Sequence, residues 1–413
     1  MKLPQIVALY VGAVLGSGIL VIPGVAAEIS GPASLLAWGF MAIMVLPMSL
    51  TMGLLSAKHP HSGGVSHFVA KAFHPGIGAL VGWYFIMAVV VGAPVLALTG
   101  SGYLCAAFGL NDAYRLLIAV ALLLAALLSN HFGMQLTGRV QTLIVLITLT
   151  VLTFAIFGSL RRIEPTHFTP FTPNGWASVG VTSTVLFWCF IGWEAVSNFS
   201  EEFENPRRDA VKGAVIAALL IGAFYFLTAL VVVGTHSYGP SVSDTALVQI
   251  IKTDWGVEGG AIAGFAALFI CLAPAIAYTG SIARMIQSLS ERGYAPAKLS
   301  ATSAKRGTPT GGLIFLAVCY AFLLVLFNTR VVSLATLIQL PSAAFILTYL
   351  SACAAGIRLL GNSGLGRVAS ITTFVLSLGM LFCVRWTIWY PILITLALFL
   401  YLRANFGMKA YPP

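Results

Sequence analysis

Two short polar interruptions stand in the middle of hydrophobic runs: Gly16-Ser17-Gly18 near the start of the chain and Ile191-Gly192-Trp193-Glu194 near its middle. Their residue types suit ion binding by the main chain. A helix that resumes at Ser17 would turn the unpaired N–H groups of Ser17, Gly18 and Ile19, with a favourable helix dipole, toward an anion. The Ser17 hydroxyl adds a further donor, and glycine lets a ligand approach the main chain because no Cβ intervenes. The half-helices that end before each break expose carbonyl oxygens to a cation, around Ala13-Val14 and Phe187-Trp188. Glu194 is the only carboxylate placed deep in a hydrophobic run, and acids at membrane depth are costly and functional candidates by default. It has two compatible readings: a group that carries a proton, or a cap for the free N–H groups of the second half-helix. The competing reading of Gly16 and Gly18 is close helix packing by small residues. A second break at a comparable place in the other half of the chain weighs against it, and the pair points to a transporter with a midplane substrate site.

The elements that must hold these breaks are membrane helices. Apolar residues make up 59% of the 413-residue chain and charged residues only 8%, which excludes an ordinary soluble surface. Stretches long enough to cross hydrocarbon recur at about 5–29, 33–56, 77–108, 114–131, 136–159, 177–199, 210–234, 259–284, 310–327, 331–357, 367–384 and 387–404. The expected fold class is therefore an all-α integral membrane protein with about twelve spans. Only Arg385 and a short aromatic stretch separate the last two. Lys2 followed by an apolar run imitates a signal peptide, but Pro23 within that run and eleven further spans favour a retained first helix. The longest polar connections, about 58–76, 200–209, 236–258 and 287–309, are too short for a soluble domain.

The distribution of charge fixes an expected topology. With the N-terminus inside, sixteen of the 22 Lys and Arg residues lie inside, among them Lys58, Lys71, Arg207, Arg208, Arg284, Arg292 and Lys409. Arg115, Arg161, Arg162, Lys252, Arg330 and Arg385 lie outside. This bias puts both termini in the cytoplasm, and the net charge of +10 reads as topology and inner-leaflet contact, not nucleic-acid binding. Cys105, Cys189, Cys271, Cys319, Cys353 and Cys383 all lie in apolar stretches without CxxC spacing and read as small buried thiols. The histidines fall in or beside loops and show no metal-site spacing, so neither a metal nor another cofactor is expected.

Four motifs in order carry a family resemblance over nearly the whole chain. They are Gly16-Ser17-Gly18-Ile19; His59-Pro60-His61-Ser62-Gly63-Gly64 with Ala72-Phe73 and Gly82-Trp83; Phe190-Ile191-Gly192-Trp193-Glu194 with Glu201-Glu202 and Asn205-Pro206-Arg207-Arg208; and Arg292-Gly293 with Pro296 and Gly307-Thr308-Pro309. The sequence resembles the amino acid–polyamine–organocation superfamily of transporters, and within it the bacterial exporters of methionine and branched-chain amino acids. The resemblance implies five helices repeated with inverted topology, here 1–159 and 177–357, with helices 1 and 6 broken and two additional helices at 367–404. It also implies a multi-pass protein of the bacterial inner membrane and a substrate with one carboxylate and one ammonium.

The resemblance extends the site beyond the breaks. Trp188, one turn before the second break, matches an aromatic that packs on substrate, and Ile191 and Gly192 lie in the break itself. Tyr278 matches an aromatic of helix 8, by spacing back from Arg292-Gly293. Lipid or core packing is the alternative for both aromatics. By register back from Gly102-Tyr103, helix 3 offers Ala88, Val89 and Ala93, a small apolar wall against which a charged side chain would be unpaired. A methionine, leucine, isoleucine or valine side chain would instead gain about 25 cal/mol per Å² buried. Thr279 and Ser281 lie near the place where sodium-dependent relatives hold their ion, while helix 5 lacks the lysine of some sodium-independent relatives. The coupling ion stays open, with the proton favoured because of Glu194.

The reading is thus a secondary transporter of neutral amino acids by alternating access, in the direction of efflux, with an importer or exchanger of the same fold as the alternative. A non-transporting membrane sensor of amino acids is the contrasting class. An intramembrane enzyme would need a nucleophile–base pair or metal ligands at membrane depth, a channel would need charged rings or a carbonyl filter, and an ATP-driven pump would need a GxxxxGK[ST] loop, which does not occur.

Overall fold

The computed structural model describes residues 1–239, 246–361, 363–382 and 386–406; Cys383, Arg385 and Lys409 lie outside them. Among the described residues the secondary structure is helical throughout, with no strand. The helices are α1 (Leu3–Val14), α2 (Gly18–Ser30), α3 (Ser34–Lys58), α4 (Gly64–Ala72), α5 (Pro75–Phe108), α6 (Asp112–His131), α7 (Met134–Ser159) and α8 (Ala177–Leu186). They continue with α9 (Trp193–Ser197), α10 (Pro206–Gly234), α11 (Ala246–Glu291), α12 (Thr310–Asn328), α13 (Leu334–Gln339), α14 (Ser342–Leu359), α15 (Gly364–Leu381) and α16 (Trp389–Phe406).

The crossings follow from helix length. Gly18–Lys58 is one apolar stretch of 41 residues, about twice what hydrocarbon requires. It is folded back by a 3-10 turn at Gly31–Ala33, where Gly31 takes φ +61. Thus α1 and α2 together form the first crossing and α3 the second. Among the described residues nine further helices or helix pairs of spanning length follow, and α16 adds a shorter apolar helix.

Three connections differ from their sequence reading. The 58–76 segment contains α4, whose apolar residues Val65, Phe68 and Val69 are buried. Within 236–258, α11 already begins at Ala246 and bends at Gly256, where φ is +65. The start of 287–309 continues α11 to Glu291. The tenth crossing, read as one run over 331–357, is two helices, α13 and α14, that part at Leu340-Pro341. Proline supplies no N–H, so the hydrogen-bond ladder is interrupted at Pro341 while Leu340 itself stays helical.

The core lies between the breaks and the helices that surround them. α1 packs against α10, α7, α11 and α9; α3 packs on α10; α5 packs on α11. The outer helices turn apolar residues outward, as in the Ile314, Val318, Phe322 and Val325 stripe of α12. That stripe recurs at helical spacing and suits hydrocarbon.

Candidate functional site

The first break leaves two main-chain donors without partners. α1 closes with the Leu15 N–H on the Val11 carbonyl, the Gly16 N–H turns to the Val14 carbonyl at 3.0 Å, and α2 resumes with the Ile19 N–H on the Gly16 carbonyl at 3.2 Å. The N–H groups of Ser17 and Gly18 make no hydrogen bond among the described residues. Ile19 was expected to offer a third donor; its N–H is spent within the turn and its side chain is buried away from the cavity.

The second break is tied to a tyrosine and to its own carboxylate. After α8 a 3-10 turn covers Phe187–Phe190, Ile191 is extended, and Gly192 takes φ +135 before α9 begins. Only glycine fits there: a Cβ would lie 2.8 Å from the Ala13 carbonyl oxygen, so the two breaks meet back to back. The Gly192 N–H donates to Glu194 Oε2 and to Tyr349 Oη, both at 3.0 Å, and the Trp193 N–H donates to Tyr349 Oη at 3.2 Å. Tyr278 donates to the other carboxylate oxygen of Glu194 at 3.3 Å. Tyr278 also meets Phe85 and Phe345 edge-on, each at 6.1 Å.

Between the breaks lies a cavity of about 400 Å³. Ala13, Val14, Gly16, Ser17, Gly18, Val89, Ala93, Trp188, Ile191 and Tyr278 line it. Ala88, Ile19, Phe187 and Gly192 do not; Ala88 is one position off the Val89-Gly92-Ala93-Leu96 face, a rotation of about 100° on a helix. Glu194 is fully buried behind Tyr278 and does not reach the cavity. Thr279 shares a hydrogen bond with Tyr320 at 3.1 Å, and neither it nor the buried Ser281 lines the cavity.

Sequence reading missed several lining residues: Gly92 and Leu96 on α5, Cys189 in the second break, Tyr225 on α10, Pro274 on α11, and the Leu337–Ser342 region around the tenth-crossing break. Among the described residues no charged side chain lines the cavity. It also missed Gln141 on α7, which is buried and donates to the Ala273 carbonyl of α11 at 3.2 Å. Its amide presses so close to Gly12 that a Cβ there would clash. The fifth crossing, α7, thus places a neutral amide between α1 and α11.

The cavity runs away from the face that carries Met1. Ile22 beyond the first break, Val185 before the second, and Leu337 and Ile338 lie on the far halves of their crossings. The Met1 face is closed by polar contacts. Arg284 pairs with Glu202 and sits 4.5 Å above the Phe199 ring. The Met1 amine donates to the Glu202 carbonyl, Asn198 to the Ser62 carbonyl at 2.9 Å, and Arg292 to Ser66 at 3.0 Å.

Helices broken at midplane around a closed-bottomed apolar cavity define a membrane carrier. The comparison with known families agrees. The amino acid permease family profile matches residues 1–409, and the chain belongs to that family. Its relatives include the uncharacterized amino acid permease YecA of Bacillus subtilis (strain 168), 33% identical over 97% of this chain and 95% of YecA. The L-methionine/branched-chain amino acid exporter YjeH of Escherichia coli (strain K12) is 28% identical over 97% and 95%. The branched-chain amino acid permease BcaP of Bacillus subtilis (strain 168) is 23% identical over 73% and 69%.

Proposed function

We propose that this protein is a secondary transporter that moves neutral amino acids with aliphatic or thioether side chains, namely methionine, leucine, isoleucine and valine, out of a bacterial cell by alternating access. The observation that carries this reading is the cavity itself, which among the described residues has two free N–H groups on its lining and no charged side chain on its walls. The donors suit the α-carboxylate. A buried leucine-sized side chain would contribute about 1.5–3 kcal/mol, whereas a charged one would lose its hydration without a partner. The names of YjeH and BcaP support the same substrate class.

In this reading residues 1–159 and 177–357 are inverted repeats, 367–404 adds two helices, and both termini face the cytoplasm of an inner-membrane protein. The closed Met1 face then makes this the outward-facing state. Glu194 is the proton-coupling candidate, since its bonds to Gly192 and Tyr278 join the second break to the cavity wall. An importer or exchanger would use the same cavity, because gradients set direction.

The test is flux of labelled methionine in proteoliposomes, with pH and sodium gradients imposed separately in each direction. The reading expects saturable flux that unlabelled leucine suppresses and that a pH gradient drives better than a sodium gradient. Ligand binding without flux would instead identify a sensor. Flux driven only by sodium would remove the proton assignment.

A further inference from the structure

One polar group on the cavity wall has no evident use. Tyr225, on α10, is fully buried, and its hydroxyl has no oxygen or nitrogen partner among the described residues. Among the described residues the Cys189 thiol lies beside it, a weak hydrogen-bonding partner. The ring is fixed from two sides: it stacks on Trp38 at 5.2 Å and 18°, and it meets Phe190 at 5.1 Å. The hydroxyl therefore has a set position. That position is at the start of α2, because a Cβ on Gly18 would lie 3.2 Å from it and 3.0 Å from Cys189 Sγ.

The other tyrosine hydroxyls near the breaks are already engaged or lie elsewhere. Tyr278 donates to Glu194 and Tyr349 accepts from Gly192 and Trp193. Tyr10 also lacks a partner but does not line the cavity. A rigid, desolvated hydroxyl without a partner is costly, and the cost is relieved if a ligand supplies the acceptor. Beside it stand the unpaired N–H groups of Ser17 and Gly18. Ser17, Gly18 and Tyr225 line the same cavity, each can donate there, and an acceptor-only carboxylate fits such a set.

We propose that the Tyr225 hydroxyl donates a hydrogen bond to the substrate carboxylate, and with the N–H groups of Ser17 and Gly18 makes the site select a free acid over its neutral derivatives. The assignment rests on the amino-acid reading of the cavity. It adds a residue of α10 to recognition, and it gives Gly18 a second purpose, to leave room beside the hydroxyl.

The experiment measures equilibrium binding of L-methionine and L-methioninamide to the purified protein in nanodiscs, for wild type, Tyr225→Phe and Gly18→Ala. Tyr225→Phe keeps the ring contacts and removes one donor. It should weaken methionine by roughly tenfold or more, as expected for a bond to a charged acceptor, and methioninamide by less than threefold. Gly18→Ala, which puts a methyl group against the hydroxyl, should also erode the preference for acid over amide. Equal losses for both ligands in Tyr225→Phe would make Tyr225 a packing residue and overturn the proposal. Unchanged methionine affinity in Tyr225→Phe, or an unchanged preference in Gly18→Ala, would do the same. A wild-type protein that binds no neutral amino acid would overturn the amino-acid reading itself, a result distinct from selective loss in the variants.

Discussion

Glu194 Oε2 accepts the main-chain N–H of Gly192, two residues before it in the chain, at 3.0 Å. The carboxylate thus folds back on the break that precedes its own helix. Its second oxygen accepts from Tyr278, whose ring forms part of the cavity wall. Protonation at Glu194 would remove one acceptor from this chain and loosen its hold either on Gly192, whose N–H keeps Tyr349 Oη, or on Tyr278. Glu194→Gln keeps the shape and one acceptor oxygen but cannot titrate. We expect methionine binding within a few-fold of wild type and a flattened pH profile of flux. Flux against pH at matched expression is the check. Profiles of the same shape would leave Glu194 a helix-end cap only.

Trp188 lines the cavity and is 37% exposed. It stands one turn before the second break, where a swing of the 3-10 turn Phe187–Phe190 would lay it across a bound ligand. Trp188→Ala should weaken binding through lost aromatic area and incomplete closure, by about 1–3 kcal/mol. Trp188→Phe should keep part of that contribution. Calorimetric titration of methionine into each variant measures the difference, and near-native affinity in both would reduce Trp188 to packing.

Gly92 faces the cavity, and a Cβ built on it meets no atom within 4 Å. Larger side chains therefore fit without disturbing α5, and they take their volume from the ligand space. Gly92→Val should fold normally and shift competition toward smaller substrates, with leucine and methionine losing more than alanine. In wild type, methionine and leucine should compete far better than lysine, arginine or glutamate, since among the described residues no charged group lines the walls. Competition against labelled methionine tests both statements. Arginine matching methionine would contradict the apolar reading.

The breaks were legible because polar residues interrupt hydrophobic runs, and a bilayer tolerates that only around a cavity. Faces were harder to read. Val89 and Ala93 reach the cavity while Ala88 does not, because helices buried on several sides lack the polar face that fixes rotation. Tyr225 and Gln141 gave no local signal for the same reason: nothing in the sequence of their helices marks which side chains turn toward the site, and only the neighbours of each give it meaning. Pro341 did carry a signal, the familiar helix breaker, yet the hydropathy of 331–357 concealed it. The partners of the second break come from positions 278 and 349, too far along the chain for spacing to connect.

The closed Met1 face carries a pH-sensitive contact of its own. His61 and His67 stack face to face at 3.9 Å, with planes 2° apart, and the His61 N–H donates to Ser200, just beyond the second break. Burial, with the neighbouring His61, Arg292 and Lys71, pushes His67 down to about 3, against about 6.5 for an unperturbed histidine. Burial also lowers His61, with Glu201 opposing it. The sign follows from proton counting. Above pH 6.5 both folded and unfolded chains hold His67 neutral, so it adds no pH dependence. As pH falls from 6.5 toward 3, the unfolded chain takes up a proton that the folded chain resists, and stability declines through that window. His67→Gln removes this titration and should flatten the fall in melting temperature between pH 7.5 and 5, while sacrificing some stacking at neutral pH. Thermal unfolding of both proteins in nanodiscs across that range is the measurement. Parallel curves would show that the histidine stack does not govern acid sensitivity at this face.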